Sequence, residues 1–265
     1  MLRYALIEKE VGQTPLQALK VWKEQNPAYK NISASYAGRL DPMASGKLLI
    51  LLGDECKKQK SYTKLDKEYE IEVLLDVGSD TGDALGLVEY AGRHTRYDHN
   101  ALLNALRAEV GRHMRPYPHF SSRTVGGKPL FLHALEGSLS AVNVPEHEEE
   151  IYNIKLEGVS HVRHETLATR ITQYLDLVPR SLEPSKRLGA DFRIEAVKDR
   201  WADVCTEAGR RDFVVLRLRV VCGSGTYMRS LAPRIGEALG TKALALSIHR
   251  TKIGRYWWGL WLRRF

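Results

Sequence analysis

Residues 36–53 read YAGRLDPMASGKLLILLG, and this segment constrains the fold more than any other. It sets a single carboxylate, Asp41, between a glycine-containing turn and Pro42, then runs into the unbroken apolar stretch 48–52. A short continuous apolar run bounded by turn residues reads as a strand buried on both faces. Pro42 fixes its own φ and pushes Asp41 towards extended geometry, while Gly38 and Gly46 let the backbone turn on either side. The carboxylate is thereby held at a defined place above a sheet. A lone Asp-Pro also fits an Asx-type turn, so the pair by itself does not name a function.

At 265 residues the chain forms one large domain or two small ones, and 43% hydrophobic with 27% charged residues is the balance of a soluble globule rather than a disordered chain. Forty Lys and Arg against 32 Asp and Glu leave a formal charge of +8, which suits a polyanionic partner. Cys56, Cys205 and Cys222 share no C-x-x-C spacing, which points to reduced thiols in the cytoplasm and away from a disulfide framework or a zinc site. The start MLRYALIEKEVGQT carries no apolar core of signal-peptide length, and no run approaches the roughly 20 residues of a membrane span; no membrane segment is expected.

Residues 3–7 predict a short strand. Thr14 and Gln17, with Pro15 between them, make a capping-box start for a helix running to about Asn26, before Pro27. Five lysines at 57, 58, 60, 64 and 67 decorate a helix and loop, either as a solvated face or as phosphate contacts. Tyr69, Ile71, Val73, Leu75 and Val77 then alternate with Glu68, Glu70 and Glu72, predicting a half-buried strand with Tyr69 on its apolar face. Asp80 and Asp83 are read as loop-capping carboxylates rather than a metal pair, because no third ligand falls at suitable spacing. Asp98 predicts the cap of a helix carrying Leu102, Leu103, Leu106 and Val110 and ended by Gly111. The acidic run 146–150 is placed away from any face that meets a polyanion.

Residues 159–212 form a stretch of amphipathic helical patterns separated by Pro179, Pro184 and Gly189, predicting a small helical subdomain between a strand ending near Glu157 and another starting near Phe213. The strand 214–222 leads into a turn at Gly223 and Gly225 that delivers Thr226, Tyr227 and Arg229 to the end of the sheet; such a glycine turn also fits a simple anion nest. Pro233 is awkward within a helix begun at Thr226, so the helix is expected to start at Ser230.

Together these segments resemble the TruB family of pseudouridine synthases. The string GRLDPMASGKL at 38–48 is similar to that family's active-site signature, and four further segments follow in the family's order: DKEY at 66–69, GSDTGDALG at 78–86, residues 117–137, and CGSGTYMR at 222–229. The resemblance covers most of 1–158 and 213–256, and it implies a catalytic Asp41. It also implies that Tyr69 packs on the target base and handles a proton, that Arg229 pairs with Asp41, and that Tyr227 and Ile248 line the uridine pocket. Tyr36 stands where relatives have a histidine that seats the flipped nucleotide, and either stacks on RNA or packs in the interior. Arg39, Lys67 and Lys128 are further expected RNA contacts.

The implied fold is α/β (α+β): a pseudouridine-synthase-like, mixed and mostly antiparallel central sheet flanked by helices. Residues 1–256 would form the catalytic domain, with the helical insertion at 159–212. The aromatic and basic tail 257–265 stands where many relatives carry an RNA-binding PUA domain. The implied activity turns a uridine of tRNA, at the T-loop position, into pseudouridine without cofactor or metal, in a cytoplasmic monomer. A non-catalytic RNA-binding or RNA-folding protein on the same scaffold, or the same chemistry on another RNA, are the alternatives.

Overall fold

The structure, a computed structural model, describes residues 2–92, 98–178 and 193–265. Strand β1 (Tyr4–Lys9) leads to helix α1 (Pro15–Gln25), whose capping box is formed as expected: Thr14 Oγ1 accepts from the Gln17 amide at 3.2 Å, and Gln17 Oε1 from the Thr14 amide at 2.7 Å. Next come β2 (Ala34–Ala37), β3 (Ala44–Leu52), α2 (Gln59–Thr63) and β4 (Asp66–Leu75). A small ribbon of β5 (Val77–Ser79) and β6 (Val88–Tyr90) precedes α3 (His99–Ala108), where Asp98 accepts from the amides of Asn100 and Ala101. Then follow β7 (Gly111–Pro116), a short hairpin of β8 (Thr124–Val125) and β9 (Lys128–Pro129), and α4 (Leu130–Leu135). The second half holds β10 (Glu146–Arg163), α5 (His164–Leu177), α6 (Ile194–Ala208), β11 (Asp212–Cys222), α7 (Met228–Ala238), β12 (Ala243–Trp257) and β13 (Leu260–Arg264).

The central sheet has the order β1-β3-β12-β4-β11-β10-β7, with β2 also on β3 and β13 on β12. Its described pairings are antiparallel except β12 with β3, which run parallel from Ile248↔Ala44 to Arg250↔Gly46. This is the mixed, mostly antiparallel α/β (α+β) architecture that the sequence implies. Leu48 to Leu52 are essentially inaccessible because β3 is an interior strand with apolar layers on both faces, which is why no alternation shows in its sequence.

Helices cover both faces. Ile71, Val73 and Leu75 of β4 join Leu216, Leu218 and Val220 of β11 beneath α3 and α7, while Leu74, Val215, Leu244 and Leu246 pack against α5 and α6. The alternation of β4 therefore does not mark a solvated face. Glu68 is buried and held by Arg219 at 3.3 Å, Lys252 at 2.8 Å and Thr251 Oγ1 at 2.8 Å.

Two expected boundaries shift. Strand β10 continues to Arg163, paired with β11 without a break from Gly158↔Arg217 to Arg163↔Asp212, so the stretch expected to be helical from 159 begins as strand. Its helices α5 and α6 share an apolar core with the sheet, and the Trp201 indole donates to Ala84 O at 3.0 Å. Pro179, Pro184 and Gly189 lie outside the described residues. The tail 257–265 extends the sheet as β13, and Phe265 packs edge-on against Tyr4 with centroids 5.0 Å apart. Among the described residues no helix is long and apolar enough to cross a membrane.

Candidate active site

Strands β2 and β12 follow one another along the same edge of β3: β2 pairs with residues 49–52 and β12 with 44–46. The loop 38–43 emerges at that junction, so Asp41 shares a cavity with Ile248 and Arg250 from the interior of β12 and with Tyr69 of β4. Gly46 makes the approach possible. Its φ is +103°, and an added Cβ would lie 2.4 Å from the carbonyl oxygen of Arg250 and 2.6 Å from its nitrogen, closer than atoms can stand.

Arg250 is fully buried and fastens the same loop. Its Nε donates to Lys47 O at 2.7 Å, and its Nη1 and Nη2 to Arg39 O and Gly38 O at 3.3 Å. The loop is anchored again by Gly12, whose amide donates to Pro42 O at 2.8 Å. Close by, the buried Lys9 ammonium donates to Glu10 O and Gln13 O; burial lowers its pKa to about 8, against the opposing pull of Asp41.

The turn after β11 brings Arg229 to Asp41. Arg229 Nε donates to Asp41 Oδ2 at 2.6 Å, Nη1 to Thr81 O at 2.8 Å and Nη2 to Phe120 O at 3.0 Å, so one guanidinium joins three separate loops. Arg229 is 5% exposed at its side chain and Asp41 43%, which leaves the carboxylate open to a ligand while its partner is not. Burial alone would lower the Arg229 pKa, but Asp41 and then Asp83 outweigh it and raise it. Asp83 Oδ2 stands 3.7 Å from the same Nε, and burial pushes its carboxyl up to about 6 against the pull of Arg229 and Thr81.

Helix α7 begins at Met228, two residues before the expected Ser230, and holds Pro233 in its interior. Pro233 has no N–H, so the Arg229 carbonyl lacks its i+4 donor. Gly82 packs directly on that carbonyl: its φ is +77°, and a Cβ there would lie 2.2 Å from the oxygen. The proline thus leaves a carbonyl at the head of the helix, and a glycine of the 78–86 turn takes the space above it.

Two cavities meet at Asp41. One, of about 280 Å³, is lined by Lys67, Tyr69, Tyr227, Ile248 and Arg250; the other, of about 750 Å³, by Tyr36, Met43, Asp83, Phe120 and Phe131. Asp41, Arg229, Arg39, Ser121 and Ser122 line both. Tyr69 is buried, and that burial raises its pKa, so near neutral pH it is a phenol. Burial also raises the pKa of Tyr227, whose ring lies edge-on to those of Tyr117 and His147.

The structure therefore gathers Asp41, Tyr69, Arg229, Tyr227, Ile248, Arg39 and Lys67 at one place, with Tyr36 in the larger cavity. Lys67 differs from the other lysines of its run. It is buried, its Nζ donates to Thr63 O at 2.8 Å, and burial lowers its pKa to about 8. Lys128 lines neither cavity and is paired with Glu136. Asp80 and Asp83 cap their loop as expected: the Leu87 amide donates to Asp80 Oδ1 at 2.8 Å and the Leu85 amide to Asp83 Oδ1 at 3.0 Å.

The acidic run 146–150 is not set apart from the site. Glu149 is buried and accepts from the Tyr227 amide at 3.2 Å, and Glu150 O accepts from the Gly223 amide at 2.8 Å. Unpaired carboxylates would be out of place there, but Arg234 and Arg112 reach Glu149 Oε2 at 3.4 Å and Glu150 Oε1 at 2.9 Å. Arg250 and Ser121 are the site residues that sequence reasoning missed as such. Arg250 carries no local sign of its burial, which only the parallel β12–β3 pairing reveals. Ser121 Oγ is buried without a protein partner at the wall shared by the two cavities.

The sequence profile of the TruB family pseudouridylate synthase N-terminal domain matches residues 27–174, more than half of the chain. The tRNA pseudouridine synthase B of Deinococcus radiodurans is 28% identical over 225 residues, 83% of this chain and 65% of that protein. The enzyme of the same name from Burkholderia mallei is 30% identical over 249 residues, 94% of this chain and 63% of that protein. This chain thus spans somewhat under two thirds of the length of these relatives. In fold it is similar to a chain in the crystal structure of a Cbf5-Nop10-Gar1 complex, with a TM-score of 0.54 over 95% of this chain and 48% of that one at 17% identity. With the profile match spanning β2, β3 and β4 and therefore the Asp41 loop, this chain belongs to the TruB family of pseudouridylate synthases.

Proposed function

We propose that this protein isomerises a uridine of tRNA, the T-loop uridine, to pseudouridine in the cytoplasm. The observation that carries the reading is the Asp41 carboxylate, paired with the buried Arg229 and left open to a cavity whose far wall is Tyr69 and Ile248. The target base must leave its stack, at a cost of about a few kcal/mol that pocket contacts offset. Its ring would then lie between Ile248 and Tyr69, with the anomeric carbon towards Asp41. Arg250 and Lys67 lend the cavity a positive field suited to phosphate and to charge developing on a departing uracil.

The reaction breaks the bond from the anomeric carbon to N1 and forms one to C5. The proton on C5 leaves and N1 gains one, so atoms balance without a second substrate. Asp41 acts at the sugar, as nucleophile on the anomeric carbon or as base at the neighbouring carbon; both routes use its free oxygen while Arg229 holds the other. Tyr69, kept as a phenol by its burial, serves the C5 proton as a relay rather than as a standing phenolate. Arg39, which donates to Ser122 Oγ at 2.5 Å, and Tyr36 would meet the nucleotides beside the flipped one. Incubating the protein with an unmodified tRNA transcript and mapping pseudouridine tests the proposal: modification at the T-loop uridine supports it, another position reassigns the substrate, and an unmodified transcript contradicts it.

A further inference from the structure

His147, on β10, lines neither cavity itself yet binds two of the site's walls together. Its ring stacks on Tyr117, with centroids 4.0 Å apart and planes 19° from parallel, and meets Tyr227 edge-on at 5.6 Å. Its Nε2 lies 3.1 Å from Gly225 O and 3.3 Å from Glu149 Oε1. Both of these are acceptors, so Nε2 carries the proton and donates to the two at once. Glu149 Oε1 in turn accepts from the Tyr227 amide at 3.2 Å. Nδ1 is buried without a partner, so the donation from Nε2 and the stack on Tyr117 are what fix the ring.

Gly225 and Tyr227 line the smaller cavity, and Tyr117 opens the segment that carries Ser121 and Ser122 into both. We infer that His147 is a positioning residue: through Nε2 it holds the 223–227 turn, and through its ring it holds Tyr117, so that Tyr227 presents its side chain to the base. This rests on the proposed reading in so far as the base is the ligand. The geometry of the brace stands apart from it.

The test compares His147→Phe, which keeps a ring and removes the donor, with His147→Gln, whose amide nitrogen replaces Nε2. Steady-state conversion of a tRNA transcript and hydrogen exchange at the amides of residues 223–228 are read in parallel with the melting temperature. The brace predicts that His147→Phe loses about tenfold in kcat/KM, the factor an ordinary lost hydrogen bond gives. It also predicts that exchange at 223–228 rises by a similar factor with little change in melting, and that His147→Gln recovers most of both. Wild-type exchange and activity in His147→Phe would overturn it, and so would a uniform rise in exchange across the sheet with an equal melting loss in both variants. Should wild type make no pseudouridine, the proposed function fails while the exchange comparison still decides the brace.

Discussion

Arg229 Nε donates to Asp41 Oδ2 across 2.6 Å, joining a guanidinium that is almost wholly buried to a carboxylate that is nearly half exposed. The same guanidinium satisfies Thr81 O and Phe120 O, so its removal strands two carbonyls and leaves Asp83 without its nearest cation. Arg229→Ala is expected to abolish turnover and to destabilise the fold by roughly 1–3 kcal/mol for each carbonyl left without its donor. Arg229→Lys keeps the charge but reaches fewer of the three acceptors, and should fall between. Urea unfolding beside a turnover assay checks both.

Asp83 yields a pH signature. Its folded pKa, about 6, is raised above the ordinary 3.8, so the folded state holds that proton to higher pH than the unfolded chain. Its contribution is therefore present in full below about pH 4 and is lost as pH rises through 6. Measured as the difference between wild type and Asp83→Asn, which cannot ionise there, wild-type stability should fall by on the order of 2 kcal/mol between pH 4 and 7 and stay level above. A difference that does not change with pH would show that the carboxyl is not perturbed.

Gly82→Ala should damage the site from a distance. The new methyl has no room beneath the Arg229 carbonyl, and φ +77° is itself strained for alanine. A loss of roughly 1–3 kcal/mol is expected, together with displacement of Arg229 and weakened turnover. Melting and kinetics of this variant would detect it. By contrast Gly92→Ala, where nothing lies within 4 Å, should cost only its backbone strain and spare turnover.

Lys67 and Lys128 separate the two kinds of lysine. Lys128→Ala removes a pair with Glu136 outside both cavities and should leave turnover within about twofold, since exposed pairs are worth about 1 kcal/mol or less. Lys67→Met takes a buried ammonium out of the cavity wall and should depress turnover while largely sparing stability, because desolvating that charge already opposes folding. Kinetics of the two variants side by side decide the matter.

Much of this was legible in the chain. The capping box of α1, the cap of α3 at Asp98, the buried run of β3 and the turn at Gly223 and Gly225 are local signals, and local signals survive into the fold. What the sequence hid depends on partners distant in the chain. Glu68 looked solvent-facing because nothing in its neighbourhood announces Arg219 and Lys252. The burial of Arg250 has no signal in its local sequence because its three carbonyl acceptors, Gly38, Arg39 and Lys47, come from a different strand and loop. The sequence places the helix start two residues late because Pro233 reads as a breaker, whereas the structure tolerates it and accommodates the freed carbonyl with Gly82. Of the candidate residues, Lys128 does not converge on Asp41 although it too lies in a matching segment, 117–137, because its ammonium is taken by Glu136 outside both cavities.

The most direct test of the account is pseudouridine yield under single-turnover conditions for wild type and Asp41→Asn, with tRNA binding measured on the same preparations. Asn keeps the size of the side chain and an oxygen for Arg229 but supplies neither a nucleophile nor a base. The account predicts full conversion by wild type, none by Asp41→Asn, and binding constants for the two within about threefold. Equal yields from both proteins would contradict it.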